Sequence, residues 1–349
     1  MKYNILSALS FVFILHFSCI AQTSGLGSYF DLEGEVFLEE KEESILVTPI
    51  YHVDNDGNII IADLRQNEIK IFDEDGNFIN SFGQTGRGPG EFTNLISVSR
   101  MSNGKIVAAD VSGRLTVFSN NGSKVIESFD SGIIPLTGVK EVGSGQLVLF
   151  GRGSRDDDTY LLHLLDIESG EREVSFLEFS FADYSQILQM LPNISTANVD
   201  DEDIVAFKSP IPEINFFNTE SLDSQKIRIN GLEHFKFIEE QDINENNLSL
   251  IDLTKFSWID QVYMTRDGRI LIQYVRWLNM PPPGANEWRE SEYSIALIDR
   301  NGDVHFEIQN TPKLVGYNKD KEKFYFIDVN REEEEYKIRN LKIAKLTRD

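Results

Sequence analysis

The sequence contains a single cysteine, Cys19, among its 349 residues. Cys19 lies close to the amino terminus, before the point at which we expect the mature chain to begin. We therefore expect a mature protein with no disulfide bond, no thiolate nucleophile and no cysteine ligand for a metal. Its stability must then come from packing alone.

Positive charge is also scarce. The chain carries 33 Lys and Arg residues against 57 Asp and Glu residues, which gives a formal net charge of −24. Such a surface repels phosphate backbones and anionic headgroups, so neither nucleic acid nor an anionic membrane is an expected partner. We interpret the acidic excess as favouring solubility.

Long hydrophobic runs are absent apart from one near the amino terminus. The apolar run Ile5 to Leu15 follows the basic Lys2 and is too short to span a bilayer. Small residues come after it, as in a secretory signal. We predict a signal peptide over residues 1–21, a linker over 22–32 and no transmembrane segment. The protein should be exported to the periplasm, the cell envelope or the extracellular space.

The processing of this leader has two possible forms. Cleavage after Ala21 would leave a chain that begins at Gln22, with small residues where a signal peptidase reads them. Lipidation of Cys19 would instead tether the chain to a membrane by its amino terminus. The lipidation motif usually has Leu three residues before the cysteine, where this chain has His16. We favour cleavage after Ala21.

The sequence is rich in one feature, an internal repeat. The segments Asp54–Asp63, Ile69–Phe72 and Asp73–Gly76 recur in degraded form about 45 residues later as Ser102–Asp110, Leu115–Phe118 and Ser119–Gly122. Alternating apolar and polar residues between Asp-Gly and Asn-Gly turns indicate consecutive antiparallel hairpins. Four such strands in about 40–50 residues are typical of one blade of a β-propeller.

The same pattern predicts six blades in an all-β fold. The predicted blades cover residues 49–82, 95–129, 136–179, 193–230, 258–309 and 312 onwards. The sixth blade lacks a fourth strand before the chain ends. We expect Gly34–Glu39 to supply it, because a strand from the opposite terminus closes the ring and removes exposed edges. The predicted domain is therefore a six-bladed β-propeller over residues 33–349, built from four-stranded antiparallel blades.

Two segments resemble the NHL-repeat propellers. Val53–Asp63 matches the repeat core Val-Asp-x-x-Gly-x-Ile/Leu-x-Val-Ala-Asp, and Phe82–Phe92 matches the connection Phe-Gly-x-x-Gly-x-Gly-Pro-Gly-x-Phe. With its leader, the chain is similar to the exported six-bladed propellers common in Bacteroidota. Most of those proteins have no established activity, so the resemblance implies a fold and export from the cytoplasm, and no activity.

Several arginines fall on one predicted face of the propeller. The loops between second and third strands and the connections between blades share that face, where ligands bind around the central channel. The arginines placed there are Arg65, Arg87, Arg114, Arg152, Arg155, Arg276 and Arg289. Guanidinium groups suit carboxylates and phosphates, so this face could bind an acidic sugar or a peptide carboxylate. Alternatively, Arg65 and Arg87 pair with neighbouring Asp and Glu residues and simply hold the loops.

An insertion in the fifth blade is the second candidate for this surface. Trp277 and Trp288 enclose a Pro-Pro-Pro turn and could form an aromatic flap that stacks on sugars or peptides. The alternative is a self-packed loop that caps the mouth of the channel.

Catalytic chemistry has little support in the sequence. The four histidines that follow the leader, His52, His163, His234 and His305, fall in different strands or in an insertion, so a zinc site is not expected. Asp63, Asp110 and Asp328 recur at the ends of second strands, which indicates turn residues rather than calcium ligands. The glycine-rich Gly83–Phe92 lacks the Lys-Ser/Thr of a phosphate loop.

We therefore predict no catalytic, cofactor-binding or metal-binding residue. The expected function is a binding or scaffold module that recognises a protein partner, or a small anionic or carbohydrate ligand, on the loop face around the channel. The alternative is a hydrolase or lyase that acts on a carbohydrate or lactone, with a metal such as calcium in the channel.

Overall fold

The computed structural model describes residues 25–143, 145–153, 160–178, 197–200, 203–207, 211–237, 252–279, 291–327 and 340–347. These residues form six four-stranded antiparallel sheets. Three short 3-10 turns accompany them, at Leu26–Ser28, Glu42–Ser44 and Leu253–Lys255. The predicted six-bladed β-propeller of four-stranded blades is confirmed.

The first three blades follow one another along the chain. Their strands are β2 (Pro49–Val53), β3 (Ile59–Asp63), β4 (Glu68–Phe72) and β5 (Phe78–Phe82); β6 (Leu95–Arg100), β7 (Ile106–Asp110), β8 (Arg114–Phe118) and β9 (Val125–Asp130); and β10 (Ile133–Val142), β11 (Gln146–Gly153), β12 (Tyr160–Asp166) and β13 (Arg172–Glu178). Each blade is a meander in which neighbouring strands pair in chain order.

The last three blades repeat this order, except that the sixth also uses β1 (Phe30–Phe37). Their strands are β14 (Ala197–Asp200), β15 (Asp203–Phe207), β16 (Glu213–Asn218) and β17 (Ser224–Arg228); β18 (Ser257–Met264), β19 (Ile270–Trp277), β20 (Ser291–Ile298) and β21 (Val304–Thr311); and β22 (Lys313–Asn318), β23 (Lys323–Ile327) and β24 (Asn340–Leu346). The order in the sixth sheet is β22-β23-β24-β1.

The first strands of the six blades form a closed ring. β2, β6, β10, β14, β18 and β22 each contact the first strands of the two adjacent blades, and β22 returns to β2. These strands are therefore innermost, and they surround the central channel. The sheets radiate outward from them.

The second strands are the most deeply buried. All five residues of β3 and all five of β7 are buried. Each sheet is covered on both faces by its neighbours, so a second strand reads as a continuous apolar run, such as Ile59–Ala62. The hydrophobic core is accordingly divided into layers, most of them between two adjacent blades.

The amino-terminal strand closes the ring as expected, but it begins earlier than predicted. β1 pairs with β24 along its length, from Phe30 opposite Leu346 to Phe37 opposite Asn340. The predicted strand starts at Gly34, and the predicted linker extends to residue 32. The difference arises because Phe30 is buried in the layer between blades five and six, where its ring contacts those of Phe306, Phe324 and Phe326 edge-on.

The two ends of the propeller carry different connections. The loops between second and third strands and the connections between blades lie at one end, which we call the loop face. The hairpins that join first to second and third to fourth strands lie at the other end, which we call the hairpin face. In the hairpin of β4 and β5, Gly76 has a φ of +86°, and a Cβ there would lie 2.3 Å from the carbonyl oxygen of Phe37. Glycine is thus required where the closing strand passes this turn.

Closure of the ring can be tested at Phe30. Phe30→Ala removes a buried ring from the layer between blades five and six and should lower the free energy of unfolding by about 3–5 kcal/mol. Leu32→Ala is the control, since Leu32 is in the same strand but 51% exposed. It should change stability by less than about 1 kcal/mol. Urea unfolding followed by fluorescence checks both, and equal effects would contradict the role of Phe30 in closure.

Candidate functional site

The connection from blade one to blade two folds into a compact loop on the loop face. Phe92 is fully buried beneath it. The Phe92 amide donates to the Gln84 carbonyl at 2.8 Å, and the Gly86 amide donates to the Phe92 carbonyl at 3.0 Å. Gly83 has a φ of +91°, and a Cβ there would lie 2.8 Å from the Phe92 ring. The glycine-rich sequence therefore allows the backbone to wrap closely around one anchoring aromatic side chain.

Asn67 joins this connection to the neighbouring turn between β3 and β4. Its Nδ2 donates to Thr85 Oγ1 at 3.0 Å, and its Oδ1 accepts from the Leu95 amide at 2.8 Å. The backbone of Asn67 is left-handed, with a φ of 56°, a conformation that asparagine adopts more readily than most residues. The turn and the connection are thus held together as one unit.

Arg114 holds the same connection from blade two. Its Nη1 donates to the Arg87 carbonyl at 2.8 Å, and its Nη2 donates to the Glu91 carbonyl. Hydrogen bonds to Glu91, first from the Gly88 amide and then from the Gln84 side chain, lower the pKa of that carboxyl. Arg114 therefore supports the loop through backbone carbonyls.

Arg65 and Arg87 have a different environment from Arg114. Arg65 lies in the turn at residues 64–67, Arg87 lies in the connection, and both side chains are exposed. Neither guanidinium group forms an ion pair or hydrogen bond with any residue that the structure describes. Within that part of the chain, the loops are held by Arg114, Asn67 and Glu91, so Arg65 and Arg87 are not needed to hold them.

The remaining described candidates fall into three environments. Arg152, at the loop-face end of β11, has no ion pair within the described ranges. Arg276 forms an ion pair of 2.5 Å with Glu292. Trp277 is only 9% exposed and stacks on Trp258 with a centroid separation of 5.3 Å. The expectation of an exposed flap is therefore wrong for Trp277, because β18 supplies a second tryptophan that covers it.

Several predictions fall on residues outside the described ranges. They are the candidate ligand residues Arg155, Trp288 and Arg289, the turn residue Asp328, the lipidation candidate Cys19 and the signal peptide at 1–21. These stay predictions.

The repeated aspartates at the ends of second strands bind the backbone of the preceding interblade connection. Asp110 accepts from the Thr93 amide at 2.5 Å and from the Asn94 amide at 3.1 Å. Asp63 does the same for the preceding segment, accepting from the Val47 amide at 2.6 Å. Both carboxylates are fully buried. They are structural turn residues, as their repetition predicted.

The hydrogen bonds of Asp110 also determine its ionisation. Burial alone would raise its pKa. Hydrogen bonds from Ser112, Asn94 and Thr93 outweigh that effect and lower the pKa below its ordinary value. The ionised carboxylate is thus the form that the fold stabilises.

Asp110→Asn tests this support of the connection. The amide retains one acceptor but presents an N–H to buried backbone donors, so we expect a loss of about 1–3 kcal/mol in stability. Asp56→Asn, on an exposed hairpin, should be nearly neutral. Chemical unfolding at pH 7 distinguishes the two, and a neutral Asp110→Asn would rule out the anchoring role.

Three innermost strands place polar side chains at one level of the central channel. We call His52, Ser99 and Lys140 the channel layer. Each lies within the last three residues of its strand, near the hairpin face. The backbone partners in the second strands are Ile60 for His52, Val107 for Ser99 and Val148 for Lys140.

The side chains of the channel layer all point in the same direction around the ring. The residues immediately before them, Tyr51, Val98 and Val139, all belong to core layers shared with the preceding blade. Successive side chains of a strand point to opposite faces. The channel layer is therefore directed toward the following blade, at the inner edge of each sheet.

Lys140 differs from the other cations of the innermost strands. Arg100 Nε lies 2.8 Å from Asp54 Oδ2, and Lys313 Nζ lies 3.8 Å from Asp260 Oδ2. Lys140 has no ion pair or hydrogen bond with any side chain in the described ranges. The side chains of His52 and Ser99 likewise form no hydrogen bond with described residues. The channel layer thus carries donors that these parts of the protein do not use.

The channel layer has strongly shifted ionisation. Burial lowers the pKa of Lys140 from 10.5 to about 8. Burial, followed by the positive charges of Lys140 and Arg100, lowers the pKa of His52 to about 3. At neutral pH, His52 is therefore a neutral imidazole and Lys140 is mostly a cation. The positive charge of Lys140 thus acts on His52, although the two residues belong to blades three and one.

The pH dependence of stability can test the burial of Lys140. Between pH 8 and 10.5 the unfolded state binds more protons at this lysine than the folded state, so its cost to the fold decreases as the pH rises. Lys140→Met should therefore be more stable than the wild type at pH 7, on the order of 1–3 kcal/mol. The difference should shrink toward pH 10.

Thermal unfolding at pH 7, 8, 9 and 10 measures this difference. Lys124→Met, at an exposed position in a hairpin, is the control and should show no such trend. A difference that stays constant across the series would contradict a charged, partly buried Lys140.

The channel layer is not among the sites that the sequence predicts. His52 enters the sequence analysis only as one of four histidines that form no zinc site, and Lys140 does not enter it. The sequence does contain a relevant pattern, because His52 and Ser99 occupy the same position in the first two repeats. Polar residues at a repeated position of an innermost strand indicate side chains that line the channel.

The other histidines lie elsewhere. His163 is buried in β12 and its Nδ1 is 2.8 Å from Ser175 Oγ, His305 is in β21, and His234 follows blade four. Within the described ranges, no three His, Cys, Asp or Glu side chains are grouped so that they could hold a metal ion. The same ranges contain no helix with the length and apolar character needed to cross a membrane.

Comparisons with known proteins agree with this architecture. Residues 8–164, less than half of the chain, match a family model, DUF5128, described as a 6-bladed beta-propeller. The chain is a six-bladed propeller. A search of curated proteins finds no match.

Two solved structures from Bacteroides share the fold. One, from Bacteroides fragilis NCTC 9343, is named as a candidate exported protein; it is 15% identical, with 92% of this chain and 96% of that chain covered and a TM-score of 0.61. The other is a DUF4221 member from Bacteroides vulgatus ATCC 8482; it is 10% identical, with 91% and 97% covered and a TM-score of 0.66. At these identities the likeness extends to the fold.

Proposed function

We propose that this six-bladed propeller is an exported binding module that recognises a small anionic ligand, an acidic sugar or a peptide carboxylate, on its loop face. One observation carries the proposal. Arg65 and Arg87 expose two guanidinium groups that have no partner in the described ranges, on loops that other residues hold. Guanidinium groups bind carboxylates through paired hydrogen bonds, which supplies both affinity and orientation.

The rigidity of the two loops supports recognition. Arg114 binds the carbonyl oxygen of Arg87, and Asn67 joins the turn that carries Arg65 to Thr85 of the connection. Phe92 is buried beneath that connection. A ligand would therefore have to order only the two arginine side chains. Preorganised loops of this kind reduce the entropic cost of binding.

The charge of the whole chain favours a small ligand. A net charge of −24 repels anions at long range, and a polyanion would meet that repulsion over a large area. A single carboxylate close to two guanidinium groups is attracted locally, since screening limits the reach of distant charges. This argues for a small acidic ligand or a peptide terminus rather than a nucleic acid.

Export rests on two observations. The apolar run at residues 5–15 has the form of a secretory leader, and one structural relative is named as a candidate exported protein. The mass of the mature amino terminus would distinguish cleavage after Ala21 from lipidation at Cys19. The alternative of a hydrolase or lyase that uses calcium stays a prediction.

The loop-face proposal can be tested with a double variant. Surface plasmon resonance would measure binding of the mature protein to uronic-acid oligosaccharides, peptides with free carboxyl termini and neutral glucose oligosaccharides. The wild type should bind one acidic class, and Arg65→Gln with Arg87→Gln should weaken that binding about tenfold or more, because two charge-assisted contacts are lost.

The matched control removes the same charge from the hairpin face. Arg266→Gln with Lys124→Gln changes two exposed cations there and should leave binding intact. Circular dichroism confirms that both double variants fold. Equal binding by the loop-face variant and the wild type, or no binding of any acidic probe, would overturn the proposal.

A further inference from the structure

We propose that the channel layer, near the hairpin face, is a separate binding site for one phosphate or carboxylate group of a small ligand. His52, Ser99 and Lys140 would each donate to its oxygens. This site lies at the end of the channel opposite to Arg65 and Arg87, and it does not depend on the loop-face proposal.

The shared level of three residues in the channel is the first argument. His52, Ser99 and Lys140 come from three consecutive innermost strands, and each is directed toward the following blade. Three donors at one level of a narrow channel match the several acceptor oxygens of a phosphate or a carboxylate. Because they project from strands in a closed ring, their positions are fixed before a ligand arrives.

The imbalance of charge is the second argument. Arg100 and Lys313 are paired with carboxylates, whereas Lys140 has no acidic partner in the described ranges. Lys140 is partly buried. A cation partly withdrawn from bulk water without a partner is costly, and a bound anion would reduce that cost. The low pKa of Lys140 agrees with this, since its charged form is not stabilised where it lies.

The protonation of the layer suits an anion. His52 is neutral, so it can donate one ring N–H, and its remaining nitrogen can accept a hydrogen bond from a ligand hydroxyl. Ser99 is only 3% exposed and can donate its hydroxyl without a large loss of side-chain freedom. Lys140 supplies the positive charge. One cation with two neutral donors favours a single anionic group over a polyanion.

Isothermal titration calorimetry can test the site with inorganic phosphate and, separately, with acetate, at constant ionic strength in sodium chloride at pH 7. The wild type should give a saturable isotherm with one of them. Lys140→Met should weaken binding about tenfold or more, and Ser99→Ala should weaken it less, because a neutral hydrogen bond contributes less than a charged one. Lys140→Arg keeps the charge and should retain part of the affinity.

Two controls separate binding at this site from binding elsewhere on the protein. Lys124→Met removes a surface cation and should leave binding unchanged. Arg65→Gln with Arg87→Gln should also leave it unchanged, and loss of phosphate or acetate binding in that variant would assign the anion to the loop face. Tighter binding of phosphate identifies a phosphate-bearing ligand, and tighter binding of acetate a carboxylate.

The proposal would be overturned by either of two results. One is equal binding by Lys140→Met and the wild type. The other is the absence of a saturable isotherm with both anions up to about 50 mM, a concentration at which even a very weak specific site would be partly filled.

Discussion

The structure depends on the requirement that six innermost strands close around one axis. Each first strand must contact two others, and the ring is complete only because β22 meets β2. The sixth blade in turn is complete only because β1 pairs with β24. Closure covers both faces of every sheet and so explains the buried second strands and the core layers between blades. It also brings side chains from distant parts of the sequence into one narrow channel.

The repeated features and the unrepeated ones have different roles. Asp63 and Asp110 each bind the backbone that leads into their own blade. A residue that recurs in several blades therefore has a structural role. Arg114 shows that an unrepeated residue can also be scaffold, since its guanidinium group is used on backbone carbonyls. The cations on which the two proposals rest have no partner in the described ranges: Arg65 and Arg87 on the loop face, and Lys140 in the channel.

The sequence predicted the fold well because its evidence is local. Asp-Gly turns and alternating residues determine hairpins over a few positions, and the missing fourth strand of the last blade pointed to the amino terminus. The pairing of side chains is not local. Trp277 is expected on an exposed flap, yet Trp258 of the adjacent strand covers it. Lys140 could not be recognised either, because its surroundings depend on how separate blades meet. Topology places the described arginines at the loop-face end. Which of them support the loops and which are unpaired depends on contacts that the sequence does not show.

The antiparallel pairing that closes the ring also fixes where the chain enters and leaves. Phe30 lies opposite Leu346, and the Thr347 amide donates to the Tyr29 carbonyl, so both ends of the propeller emerge side by side. β1 runs from the hairpin face toward the loop face, where the chain continues into β2. Since β1 is the outermost strand of the sixth sheet, both exits lie on the rim of the ring and away from the channel. A molecule held by either end would be held at its edge, which leaves the mouth of the channel clear of the anchor.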